Sequence, residues 1–418
     1  MANGNRKASN WLHWLLVGGA FVAVLGTAGC ARFKTMLGRC HCPSTDAPPA
    51  AIAQADADDV TAEFAQQAPP SLSELVGPVD TAPPAASAPV VNLFGEFEGN
   101  AKPVKSSGEQ SVSAAGFQQH TFLDEGYDGD VAIDPTGKWL AFASTRHSEN
   151  ADLYLQKVNG LSVVQLTNDD AADTFPTFSP DGKWIAFSST RAGDWDIYLM
   201  QADGHDVVQV TNGPMQDLHP SFSPDGSKLV YCSAGSRSGQ WEIWTVDLRT
   251  NEKRMVGFGL FPTWSPERGV NRIAFQKARQ RGSRWFSLWT MELVDGEARK
   301  LTEVAVSTNA AIISPAWSPD GQRLAFSTVV EPARSSGGKP SGQTDVWIIN
   351  ADGSNRQRVT DGHGTNLAPH WSADNRVYFV SDRGGPESIW SARVSGVTSI
   401  AGEAHESVGS TDAGEATN

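Results

Sequence analysis

The sequence predicts an all-β protein: a six-bladed β-propeller of four-stranded antiparallel blades, preceded by a signal or anchor segment and a disordered linker. Three observations predict it. First, a block recurs. Phe175-Pro176-Thr177-Phe178-Ser179-Pro180-Asp181-Gly182 is followed by His219-Pro220-Ser221-Phe222-Ser223-Pro224-Asp225-Gly226, by Phe261-Pro262-Thr263-Trp264-Ser265-Pro266, by Ser314-Pro315-Ala316-Trp317-Ser318-Pro319-Asp320-Gly321 and by Ala368-Pro369-His370-Trp371-Ser372-Ala373-Asp374. A divergent first copy is Ile133-Asp134-Pro135-Thr136-Gly137-Lys138-Trp139, and the Pro180 position falls at 135, 180, 224, 266, 319 and 373, spacings of 45, 44, 42, 53 and 54. Second, an acidic or Ser residue, an aliphatic and an aromatic recur with the same period: Asp152-Leu153-Tyr154, Asp196-Ile197-Tyr198, Glu242-Ile243-Trp244, Ser287-Leu288-Trp289, Asp345-Val346-Trp347 and Ser388-Ile389-Trp390. Third, the copies carry tight-turn chemistry, Pro-Asp-Gly and later Asp-Gly, with Gly supplying positive φ. Four-stranded units of about 40–50 residues are propeller blades.

The N-terminus is a targeting segment. Arg6 and Lys7 precede an apolar run over 11–29 interrupted only by His13, the pattern of a secretory signal or membrane anchor. Leu25-Gly26-Thr27-Ala28-Gly29-Cys30 resembles a lipobox, with Thr27 where Leu is preferred. Cys30 is therefore a lipidation site within a segment 1–30. The rival is an uncleaved anchor, since about 18–20 apolar residues can span a bilayer. Residues 31–115 form a Pro/Ala-rich linker too poor in apolar residues to offset its ordering entropy. Within it, Cys40-His41-Cys42 lacks the second ligand pair that a structural zinc site needs.

From 116 to 395 each copy reads as strands a to d. Strand a is the Pro-x-aromatic-Ser segment, strand b alternates after the turn, and strand c carries the acidic-aliphatic-aromatic triplet. Strand d reaches an apolar-Thr ending in Leu166-Thr167, Val210-Thr211, Leu301-Thr302 and Val359-Thr360. The repeated Trp and Phe are core. Closing the ring removes exposed strand edges. Residues 116–122 precede Pro135 by the offset that puts Thr167 before Pro180, so they are expected to complete the sixth blade, with Phe122 at the Thr167 position. A rival closure uses 397–400. Residues 396–418 form an acidic disordered tail.

A net charge of −14 excludes a nucleic-acid binder, and four Cys cannot staple a chain of 418 residues. No catalytic constellation is visible. Gly235-Ser236-Arg237-Ser238-Gly239 has Arg where a nucleophile elbow needs Ser, and most of the five Tyr fall on repeated strand positions. The chain is read as a non-enzyme, with no cofactor and the channel left open to a cation such as calcium. His219 and His370 lie in or beside strand a, near that channel. Long loops favour one face for binding. Its candidates are Asp128, Asp130, Asp169, Asp170, Asp173 and Asp217 on the d–a loops, His219, and Arg237, Lys277, Arg279, Arg281, Arg284, Arg334 and Lys339 on the b–c loops.

The Phe/Trp-Ser-Pro-Asp-Gly and Asp-Ile-Tyr patterns, with Ser381-Asp382-Arg383-Gly384, resemble the WD-like propeller repeats of the TolB family over roughly 117–395. The resemblance implies a periplasmic envelope protein that works with protein partners, although a Pro/Ala-rich tether stands where that family has an α/β domain. Together these readings describe a monomeric, membrane-tethered, periplasm-facing propeller, binding envelope proteins or peptides through its long-loop face. The alternative is an envelope hydrolase or lyase with its site in the channel.

Overall fold

The computed structural model describes residues 110–111, 116–234, 240–278, 286–307, 310–330 and 344–394. Among these the strands form six antiparallel sheets. Blade 1 runs Asp128–Ile133, Trp139–Ser144, Asp152–Lys157 and Val163–Gln165; blade 2 runs Asp173–Phe178, Trp184–Ser189, Asp196–Gln201 and Val208–Gln209. Blade 3 is Asp217–Phe222, Lys228–Ala234, Trp241–Asp247 and Lys253–Phe258; blade 4 is Leu260–Trp264, Arg272–Ala278, Phe286–Val294 and Glu297–Ala305. Blade 5 comprises Ala310–Trp317, Arg323–Val330, Thr344–Asn350 and Gln357–Arg358, to which Gln110–Ser111 adds in parallel. Blade 6 comprises Asn366–Trp371, Arg376–Ser381, Ser388–Arg393 and, from the start of the fold, Phe117–Gln119. Each innermost strand packs on the next, and that of blade 6 returns to that of blade 1. The six-bladed propeller expected from the repeats is the fold found.

The repeated residues each have a job. In Ser-Pro-Asp-Gly the Ser179 hydroxyl donates to Asp181 at 2.6 Å and accepts the Trp184 amide at 3.0 Å, while Gly182 sits at φ 74°. Blades 3 and 5 repeat this with Ser223–Asp225 and Ser318–Asp320. Blade 1 has Asp134 instead, whose carboxylate accepts the Lys138 and Trp139 amides at 2.7 Å. Phe178, Phe222, Trp264, Trp317 and Trp371 on strand a are buried, as are Trp184, Phe187, Tyr154 and Tyr378 between blades.

Closure uses the N-terminal segment, with one correction. The Thr that ends strand d accepts the strand-c amide: Leu153 to Thr167, Ile197 to Thr211 and Val346 to Thr360, at 2.9–3.0 Å. In blade 6 the Ile389 amide donates to Thr121 at 2.9 Å, and Phe122 is exposed. The expected register was therefore one residue late. Leu301-Thr302 does not follow the pattern either, because it lies inside the long outer strand of blade 4 with Leu301 exposed. The rival closure 397–400, the tail, the linker and Cys30 with its apolar run lie outside the described residues.

Candidate functional site

One residue in each innermost strand has positive φ without being glycine: Asp130, Phe175, His219, Phe261, Ser314 and Ala368, at φ 48–57°. At each of these points the register to strand b shifts, so the strand bulges. A positive φ in a non-glycine residue is uncommon, and six at equivalent positions mark a built feature. The bulge turns these residues toward the axis, where they ring an open central channel of about 470 Å³. It also frees an amide to reach the preceding blade: His219 donates to Ser188 at 3.2 Å, Ser314 to Gln276 at 3.0 Å, and Phe175 to the Asp130 carboxyl.

The ring is lopsided. Phe175 and His219 lie tilted by 35° at 3.6 Å between centroids, His219 and Phe261 tilted by 47° at 3.7 Å, and Phe175 meets Phe261 edge-on at 6.4 Å. Opposite them stand the small Ser314 and Ala368. Asp130 lies beside Phe175, buried, with Oδ2 lacking a hydrogen-bond partner among the described residues, and Ser314 Oγ is in the same condition. Burial pushes the Asp130 carboxyl up to about 7, opposed by the Phe175 amide. It pushes His219 well below its ordinary value and His370, also on the wall, down to about 4, so both imidazoles are neutral at pH 7.

The other candidates fall elsewhere. Asp128, Asp173 and Asp217 open the innermost strands and Asp130 lies within one, rather than standing on d–a loops, and all four are buried. The reason is a repeated corner. Arg146 donates from one nitrogen to both Asp128 oxygens at 2.8 and 3.0 Å and stacks over Phe142 and Tyr154; Arg191 does the same to Asp173 at 2.9–3.0 Å over Phe187 and Tyr198. In blade 6, Arg383 reaches Asn366 at 2.9 Å. Asp169 and Asp170 do lie on the loop before blade 2, Asp169 at 3.3 Å from Arg191. Lys277 belongs to strand b of blade 4, its ammonium over Trp289 at 5.2 Å, not to a b–c loop. Arg237, Arg279, Arg281, Arg284, Arg334 and Lys339 lie outside the described residues.

Blade 3 breaks the corner. Gly235 stands where the repeat has Arg, and Asp217 Oδ1 has no partner among the described residues. Burial raises Asp217 to about 6 against hydrogen bonds from Ser233 and Thr211, and raises Asp196 to about 7 with the Asp217 charge adding to it. Among the described residues no three His, Cys, Asp or Glu side chains gather to hold a metal ion.

Comparison with family profiles agrees with the architecture. Residues 114–270 and 258–408 match the family profile described as the TolB beta propeller domain. The Tol-Pal system protein TolB of Bordetella pertussis is 29% identical over 165 residues, 31% of this chain and 36% of that protein. Matched segments span between 18% and 36% of the length of the curated relatives compared. The crystal structure of TolB from Acinetobacter baumannii is similar at 17% identity and a TM-score of 0.47, covering 65% of this chain and 63% of that one. An oligogalacturonate lyase from Vibrio parahaemolyticus is similar at 15% identity and a TM-score of 0.46, covering 68% and 96%.

Proposed function

Because the chain belongs to the family of the TolB beta propeller domain, we propose that it is a polypeptide-binding module of the bacterial cell envelope, with the propeller channel as its receptor. The observation that carries this reading is the channel wall: the clustered rings of Phe175, His219 and Phe261 facing Ser314 and Ala368 across about 470 Å³ of open space. A concave site of about 300–1,000 Å³ with an apolar wall and few polar groups is the usual form of a ligand pocket. Large aromatic anchors dominate the energetics of protein partners. That relatives are Tol-Pal system proteins supports a partner from the envelope. The run 11–29 ending at Cys30 would hold the chain at the membrane facing the periplasm, by acylation or as an uncleaved anchor. Loss of acyl labelling in Cys30→Ser selects the first; unchanged labelling and mobility select the second.

Affinity capture from detergent-solubilised envelopes tests the receptor reading. The wild-type chain should retain a partner that Phe261→Ala loses, with little change in Tm. Equal capture by both would refute the channel as receptor. The second reading, a hydrolase or lyase acting in the channel, is favoured by one observation: burial leaves Asp130 titrating at about 7, in the range useful for acid–base work.

A further inference from the structure

The unevenness of the channel wall specifies what fits it. We infer that the channel receives a cationic side chain of the partner, a lysine ammonium or arginine guanidinium, seated between the Asp130 carboxylate and the aromatic face of Phe175, His219 and Phe261. This rests on the reading of the channel as a polypeptide receptor.

The chain itself supplies the precedent. At the blade corners a buried carboxylate, a guanidinium and two aromatic rings occur together: Asp128 with Arg146 over Phe142 and Tyr154, and Asp173 with Arg191 over Phe187 and Tyr198. The channel repeats the carboxylate and the rings, but Asp130 Oδ2 has no partner among the described residues. A buried carboxylate without a counter-charge is costly, and a cation over aromatic faces in a desolvated site recovers that cost. Ser314 Oγ, also buried and unpartnered, offers a second acceptor across the lumen. The other titratable and charged groups on the wall do not compete. His219 and His370 are held neutral by burial. Asp134 is engaged by the Thr136, Lys138 and Trp139 amides. Arg268 is exposed, on the loop after strand a of blade 4. Ala368 and Ser314 leave room on the side facing the rings, where a Phe would fill it.

The test is calorimetric titration of the full chain with two blocked pentapeptides, lysine or leucine flanked by glycines, at pH 6 and pH 8. The lysine peptide should bind at least about tenfold tighter than the leucine peptide at pH 8. Its affinity should rise about tenfold from pH 6 to pH 8, because the ionised fraction of a carboxyl titrating near 7 rises by that factor. Asp130→Asn should remove both effects while leaving Tm within a few degrees; the wild-type pH profile stands as evidence even if that variant does not fold. Equal binding of both peptides with no effect of Asp130→Asn overturns the cationic ligand but leaves a receptor channel. No binding of either peptide overturns the inference and the receptor reading together. Calcium chloride bound through Asp130, with no lysine binding, also overturns the inference.

Discussion

Arg191→Ala should cost about 3 kcal/mol at pH 7, and the protein supplies the basis for that figure. Asp173 is fully buried, and one Arg191 nitrogen donates to both its oxygens. Blade 3 shows the same carboxylate without its arginine: Asp217 opens the equivalent strand, Gly235 replaces the cation, and the carboxyl rises from 3.8 to about 6. About two pK units at roughly 1.4 kcal/mol each gives about 3 kcal/mol, at the lower end of the roughly 3–5 kcal/mol for breaking a buried pair. The penalty belongs to the ionised form, so it is complete above the folded-state pKa and fades as pH falls through it. At pH 5 the cost should be about 1 kcal/mol smaller. Asp169, half-exposed at 3.3 Å, adds little to this figure. Urea denaturation followed by tryptophan fluorescence, variant minus wild type at each pH, reads both numbers. A loss below about 1 kcal/mol at pH 7, or one undiminished at pH 5, would refute the reasoning.

Other perturbations follow from the same geometry. Gly259→Ala should lower stability by about 1–3 kcal/mol, because its Cβ would lie 2.5 Å from the Phe275 ring and 2.8 Å from the Gln276 carbonyl; an unchanged Tm would contradict that packing. Thr211→Val should cost about 1–3 kcal/mol by stranding the Ile197 amide, now bonded at 2.9 Å, as read in the same urea assay. Stability should rise as pH falls from 8 to 7, since Asp130, Asp196 and Asp217 all titrate higher in the folded chain than at their ordinary value and so take up protons on folding, whereas on further acidification His219 and His370 charge only in the unfolded chain and oppose the gain. Asp217→Asn should flatten that slope, and a Tm that climbs with pH would contradict the burial of these groups.

The blades were legible because their turns and core aromatics are local and periodic. The residue before the repeated Pro was visible in five copies as Phe175, His219, Phe261, Ser314 and Ala368. Its bulge, and hence its place on the axis, was not, since positive φ in four different residue types leaves no compositional mark. Asp130 was hidden further because Val131 stands where the other copies have Pro. Charge alone misled. Asp128 and Asp173 read as solvated loop acids, yet each lies 18 residues before an arginine that it binds. That shared interval, absent from Asp217, was the signal available. The closing register slipped by one because the connection from Thr121 to Asp128 is one residue longer than those from Thr167 to Asp173 and from Thr211 to Asp217.

The most direct measurement is photo-crosslinking in intact cells with p-benzoylphenylalanine at Phe261, which keeps the phenyl ring on the channel wall, and at Leu161, exposed on the turn before the outer strand of blade 1. The account predicts an envelope-protein adduct from position 261, reduced by Phe175→Ala, and none from position 161. An adduct from 161 alone, or a partner retained on the chain with no adduct from 261, would contradict it.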